Sequence, residues 1–227
     1  MYPARNYLYH THHFLARHLF YPLLLSSMLA CSILFGRLYV TRSWQYYFLV
    51  WNLFLAWLPY LGSLWAVSIQ RRYPHHWWRL LLPGGFWLLF LPNAPYILTD
   101  FVHLQHQTFL WWYDTGLLLA FAWTGCFLAV ASLQSMQTLV EHFAGRVAGR
   151  LLVLGSVGLS GVGIYLGRFL RWNSWDLLLN PRAVLSDVAA IMLNPFNHLH
   201  TFAVTGMFAM LVLVCYITFT TACRPVK

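Results

Sequence analysis

Asp100 and His103 stand three residues apart in the stretch Leu91-Pro-Asn-Ala-Pro-Tyr-Ile-Leu-Thr-Asp-Phe-Val-His103. On a helix, a carboxylate and an imidazole at that spacing can share a proton or a metal ion. At about 100° per residue Tyr96, Asp100, His103 and Gln107 form one polar stripe with Thr99 and His106 beside it, while Ile97, Leu98, Phe101, Val102 and Leu104 take the other face. The plainer reading is a helix lying at the level of lipid headgroups, its polar face in water. A second chemical stretch is Arg168-Phe-Leu-Arg-Trp-Asn-Ser-Trp-Asp176. Guanidinium groups bond phosphate or carboxylate in bidentate fashion and indoles prefer a membrane interface, so Arg168, Arg171, Trp172 and Trp175 suit an anionic headgroup. The alternative is local: Asn173 caps a helical turn with Asp176 at its third position, and the arginines touch lipid phosphate. Asp114 enters an apolar run, where it needs a partner, a cavity or the favourable end of a helix dipole.

These residues must be positioned by apolar elements. Of the 227 residues 60% are hydrophobic and 8% charged, too little charge to cover a soluble fold. The apolar runs approach the roughly 20 residues that cross a bilayer as a helix, and they are continuous where a β-barrel strand would alternate. The expected fold is all-α, with about six spans: 19–39, 46–69, 77–91 continuing brokenly to 98, 110–133, 150–166 and 201–220. Residues 1–18 form a basic, histidine-rich arm, residues 19–220 one membrane domain and residues 221–227 a tail. The formal charge of +9 sits between spans and at the ends, a topology signal that argues against a nucleic-acid partner. Arg5, Arg17, Arg71, Arg72, Arg79, Arg146, Arg150, Arg224 and Lys227 fall on one side, against Arg37, Arg42, Arg168, Arg171 and Arg182 on the other. The larger count puts both termini in the cytoplasm and the third and fifth loops outside.

No metal or cofactor is assigned. Cys31, Cys126, Cys215 and Cys223 form no metal-type pair, and Met28-Leu-Ala-Cys31 continues apolar where a lipoprotein would turn polar. His10, His12, His13 and His18 read as a basic tail against headgroups, with metal binding as the alternative. His198 and His200, two apart, point away from each other on a helix.

Pro92 and Pro95 remove two backbone donors and are expected to push the preceding residues out of the α region. Only about 15 residues precede Pro92, so the break falls below the headgroups, where irregular backbone survives in protein or beside a wet cavity. Ser156, Ser160, Gly163 and Gly167 form a stripe of small residues on the fifth span, for close packing within the chain or for a homodimer seam. Pro181, after a capping Asn180, starts a helix of 13 residues, too short to span.

The two chemical stretches resemble the signature stretches of an uncharacterised bacterial membrane-protein family, catalogued as a domain of unknown function, number thirteen sixty-one. The resemblance covers most of the chain from the second span onward and implies a multi-span protein of a bacterial cytoplasmic membrane; it implies no activity. The expected site gathers Asp100 and His103 as acid, base or ligand, with Asn93, Tyr96, Asp114, Arg168, Arg171, Trp172, Asn173, Trp175 and Asp176 binding substrate. An enzyme acting on an anionic lipid or phosphorylated substrate, an assembly partner and a transporter subunit are the three readings. Charges at only one end of the spans and the lack of a clear repeat weigh against the transporter.

Overall fold

The computed structural model describes residues 3–104, 109–193 and 199–222. His106, Gln107, His198, Cys223, Arg224 and Lys227 lie outside them. The described chain is helical, with no strand. Its order is α1 (Pro3–Arg17), α2 (Phe20–Thr41), α3 (Phe48–Arg72), a 3-10 turn (Trp77–Leu80), α4 (Leu81–Phe90), α5 (Asn93–Tyr96), a 3-10 helix (Ile97–His103), α6 (Trp111–Phe169), α7 (Asp176–Leu179), α8 (Pro181–Leu193) and α9 (Leu199–Ala222).

Five stretches are long and apolar enough to cross a membrane, and the 59-residue α6 supplies two passes. It reverses at Gly145, whose φ of 83° and ψ of 171° suit only glycine. Past the turn, Gly149 lies against Gln137 and Glu141, so the second arm runs back along the first. Both arms reach the same neighbour, Gly125 facing Ala94 and Gly163 facing Pro92. The described helices are therefore long enough for six passes, the number expected from the apolar runs. The fourth and fifth spans are longer than expected, however, because residues 134–149 continue both helices around a one-residue reversal rather than forming a loop.

The third span breaks where expected but by a different route. Leu91 keeps right-handed helical angles, φ −53° and ψ −41°, in front of Pro92, so the prolines do not drive the chain out of the α region. Instead they remove donors while burial of Ala94 and Pro95 holds the backbone compact, and the helix tightens into 3-10 geometry. The Ala94 N–H turns to the Leu91 carbonyl at 3.2 Å, and the Phe90 carbonyl it would otherwise meet accepts from Asn93 Nδ2 at 3.1 Å. In the 3-10 helix residues three apart lie in register, so Asp100 and His103 share one row, and Ile97, Thr99 and Asp100 face the protein interior.

Two apolar centres hold the bundle. Leu34, Leu49, Leu53, Leu117 and Phe121 join α2, α3 and the first arm of α6; Trp87, Leu91, Leu133, Val157 and Val212 join α4, both arms and α9. At Gly125 a Cβ would overlap the Ala94 carbonyl oxygen, whereas at Gly155 it would meet nothing within 4 Å. Gly125→Ala is therefore expected to destabilise by about 1–3 kcal/mol or more. Gly155→Ala should stabilise by up to about 1 kcal/mol, and opposite shifts of the two melting temperatures in detergent check the pair.

Candidate functional site

The loops expected on one side converge at one end of the bundle. Asp100, 1% exposed, accepts a hydrogen bond from Asn52 Nδ2 at 2.8 Å on Oδ2, and its Oδ1 lies 3.5 Å from Arg168 Nη1. Oδ1 has no hydrogen bond and is buried, so this ion pair is loosely closed. Arg168 reaches on with Nη2 to His103 Nε2 at 3.2 Å. A guanidinium only donates, so His103 accepts at Nε2 and carries its proton on Nδ1. Phe48 packs on that ring at 5.0 Å between centroids. Asp100 and His103 thus meet through Arg168, and His103 is exposed where Asp100 is sealed.

Asp114 takes a different place. Arg37 Nε and Nη2 donate to its two oxygens at 2.5 and 3.1 Å, and Tyr46 Oη lies 3.3 Å from Oδ2. Arg37 is 6% exposed and Asp114 1%, so the expected partner exists and the carboxylate is occupied by the protein itself. Tyr46 Oη also stands 3.3 Å from the His103 carbonyl, which ties this pair to the end of the 3-10 helix.

Three contacts dock the fifth loop on the broken span. Asn93 Nδ2 donates to Ser174 Oγ at 2.9 Å, Gly167 lies under the Tyr96 ring, and Gly163 lies under Pro92. The small-residue stripe is therefore filled from within the chain, where a homodimer seam was the alternative. Trp172 Nε1 donates to Asp187 Oδ2 at 2.9 Å, holding α8 against the loop. Asp176 accepts from the Asn173 backbone N–H at 2.7 Å and from its side chain at 3.2 Å, but Asn173 does not cap the turn as expected: the N-cap of α7 is Trp175, without a side-chain bond. Trp175 is half-buried at the start of α7.

Arg171 adopts a left-handed φ of 60°, and the Trp172 N–H closes on the Leu166 carbonyl at 3.1 Å. Glycine would fit this helix end without strain. An exposed guanidinium stands there instead, with no ion pair among the described residues.

Beside this cluster lies a cavity of about 840 Å³ between α3, α4, the second arm of α6 and α8. Leu55, Leu82, Phe86, Leu89, Leu159 and Leu185 are among the side chains of its apolar wall. One end is polar: Asn52, Asn93, Tyr96, Asn173 and Ser174 line it, and Asn52 leads through Asp100 to Arg168, which is not itself part of the lining. Asn52 joins the two parts, since the amide that lines the cavity also binds Asp100.

Arg37, Tyr46, Asn52, Ser174 and Asp187 were not foreseen as partners. A lone asparagine in an apolar run, as at Asn52, was the one legible signal among them. Among the described residues no group of three or more His, Cys, Asp or Glu could hold a metal ion. No curated protein and no solved structure matches the chain. Over residues 51–215, which include both chemical stretches and every residue of this cluster except Arg37, Tyr46 and Phe48, the chain matches the family described as Protein of unknown function (DUF1361), and it belongs to that family.

Proposed function

We propose that this membrane protein takes a lipid from the bilayer, with an acyl or isoprenoid chain in the 840 Å³ groove and an anionic headgroup at its polar end. The supporting observation is the joining of an apolar groove to a row of polar groups that ends at Arg168. A ligand that is apolar along most of its length and polar at one end matches that lining. Asp100 offsets the net charge of Arg168 without taking all of its donors, so the Arg168 guanidinium bonds the headgroup while Arg171 supplies the balancing positive charge for a singly charged one. Burial divides the roles. Asp100 acts through Arg168 and Asn52 as a positioning residue, while exposed His103 stands beside the headgroup as an acid–base group. On this reading the protein is an enzyme acting at a headgroup oxygen.

Native mass spectrometry of the full chain from gentle detergent tests the binding. One lipid class should be retained above its share of the membrane, and Leu89→Trp, which fills the groove, should strip it. Retention in proportion to membrane composition, unchanged by Leu89→Trp, would exclude the reading.

The charge bias further supports an orientation with both termini in the cytoplasm. In a cysteine-free background, Asn180→Cys should react with an impermeant thiol reagent on intact cells and Gln70→Cys should not; the reverse labelling would invert the orientation.

A further inference from the structure

The opposite end of the bundle is short of carboxylates. Of the five in the chain, Asp100, Asp114, Asp176 and Asp187 belong to the end already described. The fifth, Glu141, accepts a bond from Gln137 Nε2 at 2.7 Å. Arg17, Arg71, Arg72, Arg79, Arg146 and Arg150 share this end with it, and none of them forms an ion pair among the described residues.

Two of these arginines line a recess of about 370 Å³. Arg17, His18, Gln70, Arg71, Gln134 and His142 supply its polar groups, and Leu19, Val67, Ala131 and Leu139 its apolar ones. Among the described residues no carboxylate lines it.

The recess is constructed rather than incidental. Between α1 and α2 the chain turns through Leu19, held at a left-handed φ of 64°. Tyr60 Oη donates to the His18 carbonyl at 2.7 Å, clamping that turn onto α3. The Arg71 guanidinium stacks 4.4 Å from the Phe14 ring centroid, which fixes it over α1. His18 Nδ1–H donates to the Phe14 carbonyl at 2.7 Å. Burial holds the His18 imidazole below its usual range, opposed by that hydrogen bond and assisted by Arg71 and Arg17, so the positive charge of its surroundings rests on the arginines. Two guanidiniums against partly apolar walls, without a counter-charge, favour a bound anion.

We propose that this recess binds a phosphate group, with Arg17 and Arg71 gripping its oxygens and the Gln70 and Gln134 amides donating beside them. The phosphate can belong to a lipid headgroup or to a soluble phosphate ester, and the two sources are separable. This site is at the opposite end from Arg168 and does not rest on the lipid reading above.

The test uses the full chain in nanodiscs of neutral phosphatidylcholine. One arm titrates inorganic pyrophosphate by calorimetry; the other adds phosphatidylglycerol and measures its retention by native mass spectrometry. Binding in the first arm assigns a soluble ligand, and binding in the second alone assigns a headgroup. In whichever arm binds, Arg17→Gln and Arg71→Gln should each weaken binding by about tenfold. Arg71→Lys, which keeps the charge and loses the fork, should fall between Arg71→Gln and the parent chain. Arg146→Gln removes the same charge outside the recess and should change binding by no more than about twofold. Melting temperatures measured alongside identify any variant that binds weakly because it is unfolded, and such a variant is replaced by the corresponding lysine. Binding in neither arm, or equal losses in Arg146→Gln and Arg17→Gln, would overturn the proposal.

Discussion

Asp114→Ala is expected to lower the folding free energy by about 3–5 kcal/mol, the cost of leaving the Arg37 guanidinium buried without its partner. The size follows from burial and geometry together. Arg37 and Asp114 are 6% and 1% exposed, and two charge-assisted bonds of 2.5 and 3.1 Å join them. Neither water nor lipid can replace the carboxylate without opening the contact between α2 and the first arm of α6. The matching variant Arg37→Met with Asp114→Leu removes both charges and should recover most of the loss, since an apolar pair of similar volume is often neutral or better. Denaturant unfolding of the single and double variants in one detergent checks this. A single variant as stable as the parent chain would mean that the pair is hydrated and carries little energy.

Arg168→Gln is the second large change. It withdraws the cation from Asp100, leaving a carboxylate 1% exposed with Asn52 as its one remaining hydrogen-bond donor among the described residues. It also removes the donor to His103. Retained lipid should fall by about tenfold or more, the worth of a charge-assisted bond. Stability should fall too, by a margin smaller than for Asp114→Ala, because the ion pair is 3.5 Å long and Arg168 is 19% exposed. Restoring neutrality with Arg168→Gln and Asp100→Asn together separates the two effects. The double variant should regain stability, since no buried charge is left, and still fail to hold the lipid, since the guanidinium is gone. Recovery of both would assign Arg168 a purely structural role.

Some of this was open to inspection in one dimension and some was not. The spans are written in composition, and the break of the third is written in Pro92 and Pro95, because a missing backbone donor acts locally. Its outcome was not legible: whether the chain leaves the helix or tightens depends on Ala94 and Pro95 being buried against the first arm of α6, a tertiary fact. The stripe of Ser156, Ser160, Gly163 and Gly167 announces close packing but not its partner, which is Pro92 and Tyr96 rather than a second copy. The need of Asp114 for a counter-charge is readable from its depth alone. That the counter-charge is Arg37, 77 residues away, is not, since an arginine near a helix end is equally at home as a topology signal. Asn52 was passed over because one asparagine in an apolar run leaves no periodic trace. The bond from the Asn173 N–H to Asp176 was readable from their spacing, since such a contact is local; that the helix starts only at Asp176, with Trp175 as its N-cap, was not.

The central claim is that a lipid sits in the groove with its headgroup at Arg168, and site-specific photo-crosslinking in native membranes tests it most directly. A diazirine amino acid at Leu89, inside the groove, is compared with one at Leu25, which is 68% exposed on another face. The account predicts that Leu89 captures one lipid class far above its share of the membrane, that Arg168→Gln abolishes this enrichment, and that Leu25 captures lipids in membrane proportion in both backgrounds. Adducts of the same bulk composition at both positions, unaffected by Arg168→Gln, would contradict it.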